Sequence, residues 1–376
     1  MDEKKRHKRA FAFFGPLLRP FIKRKFNYTY DPIEVEGNYF LLCNHNLELD
    51  PVLLGLAAGQ QVYFVASEHI MRKGFGTWFL MRYFHPIIHT KGATGLQTTV
   101  SILKALKAGD SVAMYPEGNR SFNGLTGAIF PAGGKLARRS GASLVTYRIE
   151  GGYLTQPRWS LSLRKGKLRG KLVHIYSPDE LKGMTDAEVN AAIERDLFED
   201  AYATQKREPV AFHGHDLAEG LETTLFACPV CGEIGKLHSH GGRIECACGF
   251  GADYDEYGML HGTDGTDRTV TEWDRWQRQH LAERMGQDVP LFADQVTVLE
   301  IEGHEIRATH TGTLTAYRDR FTFGDRTLTR REIEGAAIFS RNVLTVHAGC
   351  QYEIRGAEDF SALKYLYLYE LMGKEQ

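Results

Sequence analysis

The sequence has little net charge, few cysteines and no long apolar run. Its 46 basic and 47 acidic residues leave a formal net charge of -1, which excludes a generally nucleic-acid-binding protein. The hydrophobic fraction of 43% excludes a disordered chain. No segment reaches the roughly 20 apolar residues of a transmembrane helix, and no signal-peptide cleavage site is found, so disulfides are not expected. At 376 residues, the sequence predicts a peripheral cytoplasmic protein of two or three domains.

Positive charge is concentrated at the N-terminus. The first 25 residues contain nine basic side chains: Lys4, Lys5, Arg6, Lys8, Arg9, Arg19, Lys23, Arg24 and Lys25. The apolar segment 11–22 among them is broken by Gly15, Pro16 and Pro20. Basic residues that flank aromatics and leucines are typical of an interfacial anchor on an anionic leaflet. We expect residues 1–28 to bind the inner face of the membrane; packing on their own domain is the alternative.

From residue 29 to residue 208 the pattern predicts one α/β domain, a mixed sheet flanked by helices. Short apolar runs alternate there with helical patterns. The run Tyr39–Cys43 predicts a buried strand, since it is too short and too apolar for an exposed helix. Asp50 and Pro51 then predict a helix start, with Asp50 as the N-cap. An amphipathic helix over 185–203 is expected to close the domain.

His45 and Asp50 lie in the loop between that strand and that helix. In a loop the carboxylate can fold back and accept a hydrogen bond from the imidazole. An aspartate that orients a histidine in this way makes it a general base and stabilises the imidazolium. No nearby Ser or Cys has the spacing of a nucleophile, so the proton would come from a substrate hydroxyl. The alternative is that Asp50 only caps the helix and His45 is an ordinary loop histidine.

A second polar turn follows the apolar run Ser111–Tyr115. The residues Pro-Glu-Gly close the turn and are expected to set Glu117 and Arg120 side by side at the end of a strand. Ligands of α/β folds gather at the carboxyl ends of strands. A planar guanidinium there suits bidentate binding of phosphate. A surface ion pair without function is the alternative.

Together the two segments resemble the glycerophospholipid acyltransferases, the lysophosphatidate acyltransferase family. The first motif of that family, Asn-His, four residues and Asp, matches Asn44, His45 and Asp50. The third motif, Phe-Pro-Glu-Gly-Thr-Arg-Ser, matches residues 115–121, with Asn119 in place of the usual Thr. The resemblance covers roughly residues 30 to 205.

Two further motifs of the family are altered. Residues 86–91 read PIIHTK and place Lys91 where the family has Arg. The positive charge stays, but the bidentate fork is lost. Residues 144–147 read LVTY in place of the Val-Pro pair of the fourth motif.

The resemblance implies acyl transfer from a thioester of CoA or acyl carrier protein to a lysophospholipid hydroxyl, most simply 1-acylglycerol-3-phosphate to phosphatidate. His45 would deprotonate the hydroxyl, and Asp50 would orient His45. The predicted substrate-binding residues are Asn44, Lys91, Glu117, Gly118 and Arg120. Transfer to another lipid acceptor, such as an ornithine-type lyso-lipid or glycerol 3-phosphate, and a non-catalytic membrane-binding scaffold are the alternatives.

Four of the six cysteines form two close pairs: Cys228, Cys231, Cys246 and Cys248. Paired thiolates followed by glycine suit a structural zinc ion held between two turns of a small β-ribbon. We therefore predict a zinc ribbon over residues 222–256. The Cys-x-Cys spacing is unusual, and His238 or His240 could replace one ligand.

The C-terminal part predicts a helical linker over residues 257–289 and a β-rich domain over residues 290–376. Seven short alternating strands and one last amphipathic helix resemble the pleckstrin-homology-like superfold. Such a module would bind lipid head groups, a protein partner or a second copy, and the fold does not decide among them.

Overall fold

The computed structural model of the protein describes residues 3–67, 75–89, 96–286, 288–303 and 305–373. The chain forms two compact units. The N-terminal unit comprises Met1–Pro157 and Arg164–His213, and the C-terminal unit comprises Arg158–Leu163 and Gly214–Gln376. The predicted anchor and α/β domain thus share one unit, and the predicted ribbon, linker and β-rich domain share the other.

A mixed sheet forms the centre of the N-terminal unit. Among the described residues its seven strands are β1 Tyr28–Tyr30, β2 Tyr39–Cys43, β3 Tyr63–Ser67, β4 Ile87–His89, β5 Val112–Met114, β6 Ser143–Glu150 and β7 Leu168–Tyr176. Their order is β1-β7-β6-β2-β5-β3-β4. Strands β6 and β7 are antiparallel, and the other neighbouring pairs are parallel. The predicted α/β class with a mixed sheet is confirmed, and the predicted strand over residues 39–43 is the central one.

Helices cover both faces of this sheet. Within the described ranges they are α1 Glu3–Phe26, α2 Asp50–Ala58, α3 Phe75–Tyr83, α4 Leu96–Lys107, α5 Ala132–Ser140, α6 Gly152–Thr155, α7 Pro178–Gly183, α8 Asp186–Leu197 and α9 Ala201–Arg207. Leu41 and Cys43 of β2 pack with α1 and α2, whereas Phe40 and Leu42 pack with α4, α5 and α8. Because alternate residues of a strand face opposite sides, β2 is buried on both faces, which explains its unbroken apolar sequence.

Helix α1 continues through Gly15, Pro16 and Pro20, which interrupt the apolar run in the sequence but do not end the helix. A proline removes a backbone donor from a helix interior. The helix is held instead by its inner face, where Ile22 and Phe26 are buried in the core of the unit. In the part of the chain that the structure describes, no helix is both long enough and apolar enough to cross a membrane.

Helix α2 begins at Asp50 with Leu49 in the N-cap position, so the prediction that Asp50 caps the helix is wrong. Pro51 lies in the first turn, where its missing N–H costs nothing. The helix ends at Gly59, whose φ of 63° lets its N–H reach the carbonyl of Gly55. Since the Asp50 side chain does not cap the helix, it is available to the loop before it.

The C-terminal unit starts with a small antiparallel sheet. Its five strands among the described residues are β8 Leu237–His240, β9 Arg243–Cys246, β10 Gly251–Tyr254, β11 Met259–Gly262 and β12 Asp267–Thr269, in the order β12-β11-β10-β9-β8. Helix α10, Val270–Arg284, follows directly with Thr269 in a capping box. Buried Trp273 of α10 donates a hydrogen bond to the carbonyl of Ala227 at 2.8 Å. The helix expected within residues 257–289 is observed as α10, whereas strands β11 and β12 in the same range were not predicted. The assignment of this range as a linker stays a prediction.

The rest of this unit is a second antiparallel sheet followed by a helix. Its seven strands within the described ranges are β13 Phe292–Glu302, β14 Glu305–Ala316, β15 Arg320–Phe323, β16 Arg326–Thr329, β17 Gly335–Phe339, β18 Val343–Ala348 and β19 Cys350–Arg355. Their order is β16-β15-β14-β13-β19-β18-β17. Helix α11, Ala362–Met372, packs against β17 and β18. The final helix is observed, but the strands expected over residues 304–310 and 312–319 form the single strand β14, and β17 was not predicted. The pleckstrin-homology-like assignment stays a prediction.

Candidate active site

His45 lies in the loop between β2 and α2, and Asp50 is the first residue of α2. The Nδ1 atom of His45 lies 2.9 Å from Oδ2 of Asp50. The Asp50 side chain is fully buried, whereas 22% of the His45 side chain is exposed. An ionised carboxylate only accepts hydrogen bonds, so Nδ1 carries the proton and Nε2 is left as an acceptor. The loop therefore contains the hydrogen bond that its sequence predicts.

Backbone donors fix the Asp50 carboxylate. Its Oδ2 atom also accepts hydrogen bonds from the N–H groups of Asn46 at 2.7 Å and Leu47 at 3.0 Å. The carboxylate lies at the N-terminus of α2, where the helix dipole favours negative charge. A carboxylate held in this way can orient the His45 ring and stabilise its protonated form without taking the proton.

The Tyr115 side chain packs beside His45. Its ring stacks on the His45 ring, with centroids 4.4 Å apart and an angle of 20° between the planes. Burial raises the pKa of the Tyr115 hydroxyl well above its ordinary value. The side chain is therefore neutral and supports one face of the imidazole. Sequence analysis did not assign this role, because Tyr115 ends an apolar run that predicts only a strand.

Glu117 and Ser121 hold the backbone of His45 from two sides. The His45 N–H donates to Oε1 of Glu117 at 2.6 Å, and the Ser121 N–H donates to the His45 carbonyl at 2.9 Å. The other Glu117 oxygen accepts from the N–H of Gly127 at 2.6 Å. Burial raises the pKa of Glu117 to about 8, although the two amide donors lower it. Glu117 thus binds the backbone of the base, whereas the sequence predicted a place beside the substrate.

Arg120 borders the same loop. Its Nη2 atom lies 3.4 Å from Oε1 of Glu48, whose side chain is 66% exposed. An ion pair with so exposed a partner contributes little to stability. Gly118 has a φ of 66° and makes the turn that brings this segment to the loop. Lys91, the remaining predicted substrate-binding residue, lies outside the described residues.

Asn44 lies beneath the loop and is 1% exposed. Its Nδ2 donates to the carbonyl of Ile149 at 3.0 Å, and its Oδ1 accepts from the Ile149 N–H at 2.7 Å. The predicted contact of Asn44 with substrate does not fit a side chain this deep; it ties the loop to β6. Asn46 and Glu199, which the sequence did not single out, complete the network with an Nδ2 to Oε2 distance of 2.5 Å. No local sequence pattern could identify Glu199, because Asn46 and Glu199 lie 153 positions apart in the chain.

The four paired cysteines bring their sulfur atoms together in the C-terminal unit: Cys228, Cys231, Cys246 and Cys248. All four Sγ atoms lie within 4.8 Å of one another, and two of the distances are 3.7 and 3.8 Å. A tetrahedral ion with Zn–S bonds of about 2.3 Å spaces its sulfurs by about 3.8 Å. The donor set and its spacing therefore fit a zinc ion.

Two tight turns present these sulfurs. Gly232 and Gly249, which follow the two pairs, have φ values of 73° and 94°, a region that favours glycine. The alternative ligands His238 and His240 are exposed and lie 3.8 and 3.6 Å from carboxylates. Among the described residues, the group of possible metal ligands at this site consists of the four cysteines.

Comparison with known proteins adds two findings. Residues 25–150 match the family model described as Acyltransferase, a range that contains both the His45 loop and the Glu117 turn. Among solved structures, the chain is similar to the 1-acyl-sn-glycerophosphate (LPA) acyltransferase PlsC from Thermotoga maritima. The two are 19% identical, the match covers 56% of this chain and 84% of that one, and the TM-score is 0.44.

Proposed function

Residues 25–150 form a domain of the acyltransferase family, and from this premise we propose that the protein transfers a fatty acyl group from a thioester to a lysophospholipid hydroxyl. The donor is acyl-CoA or acyl carrier protein, and the simplest reaction converts 1-acylglycerol-3-phosphate to phosphatidate. The observation that carries this proposal is the hydrogen bond between His45 and Asp50, which leaves Nε2 of a partly exposed imidazole as a base.

His45 moves one proton in this scheme. Its Nε2 takes the proton of the acceptor hydroxyl while the oxygen attacks the thioester carbonyl and the C–O bond forms. The tetrahedral oxyanion then collapses, the C–S bond breaks, and the imidazolium gives its proton to the departing thiolate. The products are an ester and a free thiol. Asp50 stabilises the imidazolium during the interval in which His45 holds the proton.

Arg120 would bind the phosphate of the acceptor. Its guanidinium can make two parallel hydrogen bonds to phosphate oxygens, in exchange for its weak pair with Glu48. Lys91 would add a second positive charge. Because lysine lacks the fork of the arginine usual at this position, an ornithine-type lyso-lipid or glycerol 3-phosphate is the second candidate acceptor. Arg120→Gln should weaken use of phosphate-bearing acceptors only; indifference to phosphate would exclude this role.

Acyl transfer to lysophosphatidate in vesicles tests the reaction. We expect His45→Ala to lower kcat by about 10² to 10⁴-fold, the range of general base catalysis. His174→Ala, which replaces an exposed histidine of β7, is the matched control and should keep the wild-type rate. Equal rates in wild type and His45→Ala would exclude His45 as the base. No transfer to any lyso-lipid would favour the scaffold interpretation.

We further propose that α1 binds the membrane surface from the cytoplasmic side. Several large apolar side chains of α1 are exposed: Phe13, Leu17, Leu18 and Phe21. Three of them are spaced four residues apart and lie along one side of the helix. Basic residues fill the last turn of α1: Lys23, Arg24 and Lys25. An apolar ridge with adjacent cations suits an anionic leaflet, and the family's acceptor is a lipid.

We also propose that the four cysteines bind one structural zinc ion. Four protein sulfurs would fill a tetrahedral ion, which leaves no position for a substrate. Helix α10 supports the first cysteine pair: His280 Nε2 lies 2.8 Å from the carbonyl of Gly232, and Gln277 accepts from the N–H of Phe226 at 2.8 Å. The ion would hold the two turns together, so its contribution is to folding.

A further inference from the structure

Glu199 is a buried acid in the short break between α8 and α9, and only 4% of it is exposed. The Thr126 N–H donates to the Glu199 carbonyl at 3.0 Å, and the Glu199 N–H donates to the Thr126 hydroxyl at 2.8 Å. The next residue, Gly127, is the one whose N–H binds Glu117. One short segment therefore sets the positions of both acids.

The carboxyl group of Glu199 binds the His45 loop from the side of β6. Its Oε2 accepts hydrogen bonds from Nδ2 of Asn46 at 2.5 Å and from Nδ2 of Asn44 at 3.0 Å. Its Oε1 accepts from the N–H of Gly151 at 3.2 Å. Since Asn44 and Asn46 are the neighbours of His45 in the chain, both flanks of the base are tied to one carboxyl group.

Three acids thus hold three consecutive residues, 44–46. Glu199 binds the side chains of the first and the third. Glu117 binds the N–H of His45, and Asp50 binds its ring. The loop has no regular secondary structure of its own, so these hydrogen bonds take the place of a helix or strand ladder.

Burial of the Glu199 carboxyl group is costly to the fold. Its donors in the loop and at β6 are neutral amides, and burial raises its pKa to about 8. A buried ionisable group generally stabilises a protein less than an apolar side chain of similar size. A buried carboxyl group that is retained despite its cost to stability is typical of a functional site, where side chains need a defined geometry.

We propose that Glu199 is a positioning residue for acyl transfer, which fixes His45 by holding the side-chain amides of Asn44 and Asn46. This inference rests on the proposed function, in which His45 takes the proton. Glu199 is itself buried and acts only through the loop. Without its carboxyl group the loop relaxes, and a displacement of about 1 Å at a catalytic group costs on the order of 10²-fold in rate.

Steady-state kinetics of the full-length protein test the link. We expect Glu199→Ala and Asn46→Ala each to lower kcat by about 10- to 100-fold while KM stays within about twofold. Because both substitutions break the same link, the double variant should be no slower than the slower single variant. Unchanged kcat in Glu199→Ala, or losses that multiply in the double variant, would overturn the proposal.

A second buried acid supplies the matched control. Asp196 of α8 is 5% exposed and accepts hydrogen bonds from the hydroxyls of Thr146 at 2.9 Å and Tyr176 at 2.7 Å, not from the loop. We expect Asp196→Asn to lower Tm and to keep kcat. An equal loss of kcat in both variants would reduce Glu199 to a purely structural role. Glu199→Gln keeps one acceptor oxygen for the two amides and should retain more activity than Glu199→Ala; no such rescue would contradict the link.

The ¹⁵N signals of the His45 ring separate this inference from the proposed reaction. In wild type we expect the proton on Nδ1; in Glu199→Ala, or in Asn46→Ala if the former does not fold, we expect both ring signals to shift as the tautomers mix. If the ring signals shift in the variant but the wild type itself transfers no acyl group, acyl transfer is refuted and the positioning role is kept. Unshifted signals in a variant with wild-type kcat would refute the positioning role and keep acyl transfer.

Discussion

At the scale of single residues, the acids around His45 bind protons more strongly than ordinary carboxyl groups. Burial raises the pKa of both Glu117 and Glu199 from 4.5 to about 8. Between these two values the folded protein retains protons that the unfolded chain releases. The stability gained from them is complete below the unfolded pKa and is lost as the pH rises through the folded pKa.

This linkage predicts a pH-dependent stability. We expect the free energy of unfolding to fall between about pH 4.5 and pH 8, by at most about 1.4 kcal/mol per pH unit for each group. Glu117→Gln has no proton to lose at this position, so its free energy of unfolding should fall less steeply with pH. Thermal unfolding across this window measures the slope, with exposed Glu34→Gln as the control. If the free energy of unfolding of Glu117→Gln falls as steeply with pH as that of the wild type, then Glu117 is ionised in the folded wild-type protein across this pH window.

Gly152 permits the close approach of the loop to the end of β6. A Cβ atom added there would lie 2.7 Å from Cδ2 of Leu47 and 2.8 Å from Cβ of Asn46. We therefore expect Gly152→Ala to push the loop outward and to lower kcat by about tenfold or more. Gly183→Ala, where an added Cβ meets nothing within 4 Å, should keep the wild-type rate. Unchanged kinetics in Gly152→Ala would show that the loop can shift without loss.

Sequence reasoning at this scale identified groups whose partners lie nearby in the chain. The hydrogen bond of His45 and Asp50 could be foreseen because the two residues lie only five positions apart in the chain. The partner of Glu117 could not be foreseen, because Glu117 binds a backbone N–H, and a backbone group does not depend on the residue type. Glu199 was missed because residues 185–203 predict one helix, whereas the chain breaks at Phe198 and turns the acid inward.

At the scale of helices and strands, the way each element packs determined whether its sequence predicted it correctly. Strand β2 was predicted with its observed bounds because burial on both faces leaves an unbroken apolar sequence. The course of α1 through two prolines could not be predicted, since the contacts of its inner face offset the lost backbone hydrogen bonds. Helix α10 was predicted as a helix, but its packing was not, because nothing in the sequence shows that Trp273 and Gln277 are buried against the cysteine-bearing segment.

The exposed side of α1 predicts a defect in membrane binding. Replacing Phe13, Leu17 and Phe21 together with serine removes the apolar ridge, and we expect binding to anionic vesicles to weaken by about tenfold or more. Vesicle co-sedimentation measures the change. The binding that remains should fall further with salt, because it rests on the basic residues.

Leu161→Ser is the matched control for this prediction. Leu161 is 71% exposed and belongs to the C-terminal unit, so its loss removes apolar surface of similar kind from a different place. Its variant should bind vesicles as the wild type does. Equal weakening in both proteins would indicate nonspecific adhesion of apolar surface and would contradict a specific role of α1.

At the scale of the whole molecule, the cysteine group predicts metal-dependent stability of the C-terminal unit. Purified protein should contain about one zinc ion per chain, and removal by a chelator should lower the Tm of this unit. Cys231→Ser should do the same by removing a ligand. Cys350→Ser, which changes a cysteine of β19, should retain the metal. Full metal content and unchanged Tm in Cys231→Ser would contradict the site.

Residues 158–163 have a consequence for the biosynthesis of the protein. Arg158 donates a hydrogen bond to the carbonyl of Ile338 at 2.9 Å, and fully buried Trp159 lies edge-on to Tyr254 at 5.5 Å. Translation delivers this segment long before β10 and β17, although the chain around it belongs to the N-terminal unit. A nascent polypeptide that ends at His213 therefore still lacks Tyr254 and Ile338, which Trp159 and Arg158 contact in the folded protein. We therefore expect residues 158–163 to complete their packing only after β17 has been synthesised.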